Sequence, residues 1–331
     1  MKNHLAHTIV LALLCTQIGS CDLSVGPETS RRSFQLTFAG YGQKVLRGIY
    51  AVDAGATSIK RLTPDSMNIN YKYSCSPDGE SILFAMYSSH GWDIWKIARS
   101  NRIPIPVVAD GFSENPQWLY DGRGFVFRSA RTGRSSIWMC DPNGAGQRQL
   151  TPDTGSAPWT IPSPQRPLIA ISYLYQALFV LDYEHNQQFQ VSPDSLRVYS
   201  AFPSWSASGD ILAFETDHDL YIWNRADGLR KLWTDYNIIW NPIWSPDNQQ
   251  IAFNAFDTLK VIDLSSRTVR SLMSGMAPAG RSSWSPDGKT IAVEIQSPTH
   301  IVLVDVDGGA ITKIPLGDNS AMAPQWISAI W

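Results

Sequence analysis

The chain has 331 residues, 44% of them hydrophobic and 17% charged, with a formal net charge of −2. A chain of that length and apolar content can bury a sizeable core. The near-neutral balance leaves no basic footprint for nucleic acid, so that class of partner is excluded.

Residues 1–20 read as a signal peptide. Lys2 supplies a positive start, Thr8 to Ile18 form an apolar stretch too short to span a bilayer, and Ile18-Gly19-Ser20-Cys21 follows. That tetrapeptide resembles the bacterial lipobox, which makes Cys21 the expected lipid-attachment residue. Cys15 fits the pattern poorly because Leu14, not a small residue, precedes it. A diacylglyceryl cysteine with an added acyl chain would bury CH₂ groups at roughly 0.8 kcal/mol each, enough to hold the protein on a membrane surface. Residues 21–33 have no period and read as a short tether. Asp22 resembles the inner-membrane retention signal of enterobacteria, a rule that does not extend to all bacteria, so which membrane holds the anchor stays open. Cys75 and Cys140 then remain, and packing as small apolar residues is their expected use.

Residues 34–331 are expected to form one β-domain. Phe34 to Ala39, Gly48 to Asp53 and Ser58 to Thr63 read as three strands without a preceding hairpin. From there a module recurs: Cys75-Ser76-Pro77-Asp78-Gly79 before Ile82-Leu83-Phe84, and Trp118-Leu119-Tyr120-Asp121-Gly122 before Phe125-Val126-Phe127. A worn copy sits at Trp159 ahead of Leu168 to Ile171. Trp205-Ser206-Ala207-Ser208-Gly209, Trp244-Ser245-Pro246-Asp247-Asn248 and Trp284-Ser285-Pro286-Asp287-Gly288 complete the set. Ser, Pro, Asp and Gly in that order suit the four positions of a type I turn, so each copy predicts a hairpin with Asp78, Asp121, Asp247 and Asp287 as turn formers.

The anchors Cys75, Trp118, Trp159, Trp205, Trp244, Trp284 and Trp326 are 43, 41, 46, 39, 40 and 42 residues apart, the period of four-stranded propeller blades. Ala323 to Ser328 match a first strand whose second is missing, and the three N-terminal strands lack a first. Joining them closes a ring of seven blades, with six as the runner-up because of the weak module at Trp159. The anchor tryptophans are expected to pack between blades.

Trp-Ser-Pro-Asp-Gly, then Ile-x-Phe, then Ile-Tyr/Trp, then Leu-Thr, resembles the β-propeller repeat of the TolB family, also called the WD40-like PD40 repeat, over residues 34–331. The resemblance implies a propeller and an envelope role. TolB itself carries an N-terminal α/β domain before six blades; here a lipobox stands in that place and seven blades are counted, which argues for a TolB-like lipoprotein of its own kind. Related propellers precede prolyl-oligopeptidase-type peptidase domains, and another relative is oligogalacturonate lyase.

The residues exclude the peptidase chemistry, since no Gly-x-Ser-x-Gly elbow is present. A lyase would gather histidines and carboxylates at the channel mouth, whereas His90, His185, His218 and His300 fall in or beside hairpin loops of four different blades. No catalytic residue, metal ligand or cofactor is assigned. The leading expectation is a non-catalytic envelope lipoprotein that scaffolds a protein or peptide. A carbohydrate-active enzyme or glycan binder, with Trp92, Trp233 and Trp240 as candidate stacking rings, and a sensor domain for a separate signalling chain are the alternatives.

Overall fold

Strands account for all the regular structure among the described residues, and they pair into seven four-stranded antiparallel sheets. The structure is a computed structural model. It describes residues 34–331 apart from 42–46, 54, 57, 154–158, 174–176, 197, 199–201, 297–298, 317–318 and 328–330. The expected signal peptide, Cys21 and the tether lie outside the described residues.

Blade 1 joins Gln35–Tyr41, Gly48–Asp53 and Ile59–Arg61 to Ser320–Ile327, which pairs with Gln35–Tyr41 from Gln35↔Ile327 to Tyr41↔Ser320. The ring is thus closed by the two ends of the propeller, which give blade 1 the same four strands as the other blades. In blades 2 to 7 the strand nearest the axis comes first in the chain, and in blade 1 it is Ser320–Ile327. These inner strands are Ile69–Cys75, Ser113–Trp118, Trp159–Pro162, Ser204–Trp205, Ile239–Trp244 and Pro278–Trp284 for blades 2 to 7. The second strands supply the interior: Phe38, Phe84, Phe125, Phe127, Phe214 and Phe253 are all buried between blades. Alternating strand residues face opposite neighbours, so one strand serves two interfaces.

The hairpins have a common construction. Gly79, Gly122, Gly209, Asn248 and Gly288 adopt positive φ of 61–75° and close i→i+3 bonds to Ser76, Leu119, Ser206, Ser245 and Ser285. Asp78 accepts from the Ser76 hydroxyl at 2.5 Å and from the Glu80 amide at 3.0 Å. Asp247 and Asp287 make the same pair of bonds, and Asp121 accepts from the Arg123 amide. The Leu-Thr ending of outer segments also has a cause. Thr63, Thr151 and Ser192 turn their hydroxyls onto the amides of Ile49, Ile137 and Leu178, satisfying the first donor of a third strand.

The register corrects one anchor. Cys75, Trp118, Trp205, Trp244 and Trp284 each pair with the residue seven positions on. In blade 4 the residue that does so is Pro162, opposite Ile169, while Trp159 lies three positions earlier and pairs with Ser172. Ser163, whose amide bonds to Leu168 as Ser206 does to Ile211, opens the hairpin. The conspicuous tryptophan draws attention away from the Ser163-Pro164 pair, which is the module's own signature. With Pro162 as anchor the first three spacings become 43, 44 and 43.

The anchors stitch neighbouring blades through the residue just before the previous anchor. The indole N–H groups of Trp205, Trp284 and Trp326 donate to the carbonyls of Ile161, Ile243 and Ser283 at 2.9, 3.2 and 3.0 Å. The backbone amides of Cys75, Trp118 and Trp244 instead donate to the side chains of Gln325, Ser74 and Ser204. Pro162 has neither donor, so the junction from blade 3 to blade 4 lacks this bond. That loss accounts for the worn look of the module.

Candidate functional site

The inner strands carry their side chains toward the axis just before each anchor. Gln117, Ile161, Ser204, Ile243, Ser283 and Gln325 line a channel cavity of about 310 Å³, together with Phe202, Asn241 and Arg281. The hairpin turns lie at one end. At the other, where the inner strands begin, the positions three before each anchor form a ring: Lys72, Asn115, Trp159, Phe202, Asn241, Arg281 and Ala323. Bulges interrupt the pairing here, and Asn115, Asn241 and Ala323 take φ of 54–57°. Asn tolerates the left-handed region better than other side chains, which suits two of the three positions.

Charged and aromatic groups of this ring hold one another in pairs. Lys72 Nζ donates to Glu114 Oε2 at 2.6 Å, and the Arg128 guanidinium bonds the other oxygen of the same carboxylate. The Lys72 ammonium also sits 5.2 Å from the Trp159 ring centre. Trp159 meets Phe202 edge-on at 5.0 Å, and the Arg281 guanidinium lies 4.5 Å over Phe202. Burial, and then the charges of Arg128 and Arg281, lower the Lys72 pKa from 10.5 to about 8. Behind the ring, Glu294 accepts from the Ala323 amide at 2.9 Å, and burial raises its pKa. A Cβ on Gly280 would stand 2.6 Å from that carboxylate and would have to push it aside.

Six large apolar side chains are exposed on the same face, in turns and inter-blade connections: Tyr87, Phe112, Tyr236, Ile238, Phe256 and Met276. Tyr236 is wholly exposed. The six come from blades 2 and 6 and from three inter-blade connections, all on the face that carries the channel mouth.

The sequence candidates fall elsewhere. Trp92 meets Tyr87 edge-on at 5.2 Å in blade 2, Trp233 reaches Asp235 from the outer strand of blade 5, and Trp240 begins the inner strand of blade 6. They form no common platform. His90 pairs with buried Asp93 at 3.1 Å and His185 with Asp182 at 2.9 Å, on opposite faces. Among the described residues no three His, Cys, Asp or Glu side chains are grouped to hold a metal. The thiols of Cys75 and Cys140 are free and both pushed up to about 12 by burial. Lys72, Glu114, Arg128 and Arg281 are the site residues that motif reading passes over. Counting three back from each anchor is the signal that finds all of the ring.

No protein-family model matches the chain. An uncharacterised protein of Agrobacterium fabrum is 25% identical over 170 residues, 46% of this chain and 57% of the relative, so the chain matches little more than half of that protein's length. Among solved structures, TolB from Acinetobacter baumannii superposes with a TM-score of 0.52 at 14% identity, covering 88% of this chain and 82% of TolB. A prolyl endopeptidase matches with TM-score 0.63 at 12% identity over 87% of this chain and 51% of its own. An oligogalacturonate lyase solved with manganese gives 0.57 at 12% identity, over 84% of each chain. The chain folds as a TolB-like seven-bladed propeller.

Proposed function

We propose that this chain is a non-catalytic lipoprotein of the bacterial cell envelope, held to a membrane through Cys21, whose propeller scaffolds an envelope protein or peptide. The observation that carries the binding role is the face where the inner strands begin. There a channel mouth of mutually paired cations and aromatic rings stands among exposed Tyr87, Phe112, Tyr236, Ile238, Phe256 and Met276. Tyr, Phe, Met and Arg are the residue types that protein interfaces enrich. Among the described residues the functional groups at the mouth are tied in pairs and none is a nucleophile held against a base, which favours recognition over chemistry. The lipobox-like Ile18 to Cys21 supports the envelope location.

A photo-crosslinking amino acid at position 256 or 236, in cells of the native host, tests the reading. It predicts one recurrent protein adduct from this face and none from Ile103, which is exposed on the opposite side. Cys21→Ala should release the chain from membranes and reduce the adduct. Binding of an envelope glycan that Trp159→Ala abolishes, with no protein adduct, would replace the scaffold by the glycan reading. The indole face of Trp159 is already taken by Lys72, and this lowers that alternative.

A further inference from the structure

The junctions between blades repeat a small device on the face of the hairpin turns. The residue after the third strand drops back over the preceding blade and plugs the seam. Tyr183, Leu264 and Val306 do this at the junctions 3/4, 5/6 and 6/7, each packed into the cluster there. A cation of the preceding blade then caps the carbonyl of the plug. Arg148 donates to Tyr183 at 3.2 Å and Arg270 to Val306 at 2.7 Å. Lys96 similarly donates to Pro142 at 2.7 Å across the junction 2/3.

Two junctions have arginine where the plug belongs. At 1/2 that residue is Arg99, which turns outward to Glu80, and the slot is filled by Trp331. The Trp331 indole is buried beside Ala51, Ile82 and Ile97, its N–H donates to Gly79 at 2.7 Å, and Lys60 caps its carbonyl. At 4/5 the residue is Arg225, and a groove of about 540 Å³ lies open there, floored by Leu168, Val180, Phe189, Ile211 and Trp223. Phe189 occupies the strand position that Lys60, Arg148 and Arg270 hold elsewhere. The guanidinium of Arg225 lies over it at 4.5 Å, so the capping cation is present at the rim but comes from the other blade. Among the described residues no carboxylate lies within ion-pair distance of Arg225; Gln187 alone accepts from it, at 3.5 Å. Its neighbour Arg166 is paired with Asp210.

We propose that the groove between blades 4 and 5 is a docking slot for an aromatic side chain of an extended peptide, with an acidic residue next to it engaging Arg225. The floor has the apolar character of the slot that Trp331 fills, its volume suits a bound side chain and its flanks, and the unpaired guanidinium complements a carboxylate. The site lies on the opposite face from the channel mouth and stands independently of it.

The probe is the peptide N-acetyl-Gly-Asp-Trp-Asp-Gly-amide carrying 5-fluorotryptophan, titrated with the full chain in detergent and followed by ¹⁹F NMR. Saturable binding is expected. Arg225→Leu, which installs the plug of blade 6, should weaken it at least ten-fold. So should Val180→Met, which copies Met139 of blade 3. Arg123→Ala, on the same face but at another junction, should change it less than two-fold. Thermal unfolding of each variant shows whether it folds, and the two slot variants act by different atoms, so failure of one leaves the other to decide. No saturable binding by the unaltered chain overturns the proposal, as does binding by folded Arg225→Leu and Val180→Met as tight as that of the unaltered chain. Self-association that Arg225→Leu abolishes, without peptide binding, overturns it too and gives the slot to a second copy of the chain.

Discussion

The indole N–H of Trp331 donates to the carbonyl oxygen of Gly79 at 2.7 Å, tying the far end of the sequence to the first hairpin turn of blade 2. The Trp331 amide also donates to Gln35 of the strand that closes blade 1. One residue therefore ties blade 1 to blade 2, through its indole on one side and its backbone on the other.

Trp331→Ala should empty a buried slot and leave the Gly79 carbonyl without that donor. A loss of about 3 kcal/mol is expected, the low end for aromatic truncation in a core. Urea unfolding should show a lower midpoint with an unchanged slope. Arg99→Ala, which removes an exposed ion pair with Glu80 at the same seam, should leave the midpoint nearly unchanged.

The stitching between blades predicts unequal costs for one substitution. Trp205→Phe removes an indole N–H bonded to Ile161, whereas Trp118→Phe removes one with no partner among the described residues. Both lose similar volume. Trp205→Phe should therefore destabilise by about 1 kcal/mol more than Trp118→Phe, the net worth of one hydrogen bond. Equal midpoints in chemical denaturation would show that the inter-blade bond is not a stabilising contact.

Gly280→Ala tests the packing behind the channel ring. The new Cβ would displace the Glu294 carboxylate and free the Ala323 amide, at a cost of about 1–3 kcal/mol for a buried donor left unpaired. In the Glu294→Ala background the clash is gone, so the two losses should be markedly less than additive in a double-mutant cycle.

The parts of the fold that can be read from the chain are those fixed by local backbone chemistry. Pro77, Pro246 and Pro286 with Gly79 and Gly288 mark hairpins because the turn itself demands those residue types. The channel ring carries no such demand: Lys72, Asn115, Trp159, Phe202, Asn241, Arg281 and Ala323 share a position without sharing a type, and only Phe202, Asn241 and Arg281 among them line the cavity. A tryptophan at 159 therefore reads as an anchor from the sequence alone, although its register puts it in that ring. The slot between blades 4 and 5 is harder still to foresee. It exists because Arg225 fails to do what Tyr183, Leu264 and Val306 do, and that contrast emerges only once the registers are aligned.

Lys72 gives the channel mouth a pH signature. Burial, then Arg128 and Arg281, hold its folded pKa near 8 against 10.5 for the free side chain. Between pH 8 and 10.5 the unfolded chain thus binds more protons at this residue than the folded one, so stability attributable to Lys72 rises with pH across that window. Below pH 8 both forms are protonated and the slope vanishes. Lys72→Met should remove the slope, whatever constant offset it brings through lost contact with Trp159. Urea midpoints of the two proteins at pH 7, 8, 9 and 10 provide the check: the difference between them should be flat from 7 to about 8 and then grow in favour of the unaltered chain. A constant difference up to pH 10 would mean that Lys72 titrates as an ordinary surface lysine and that the mouth is wetter than its packing indicates.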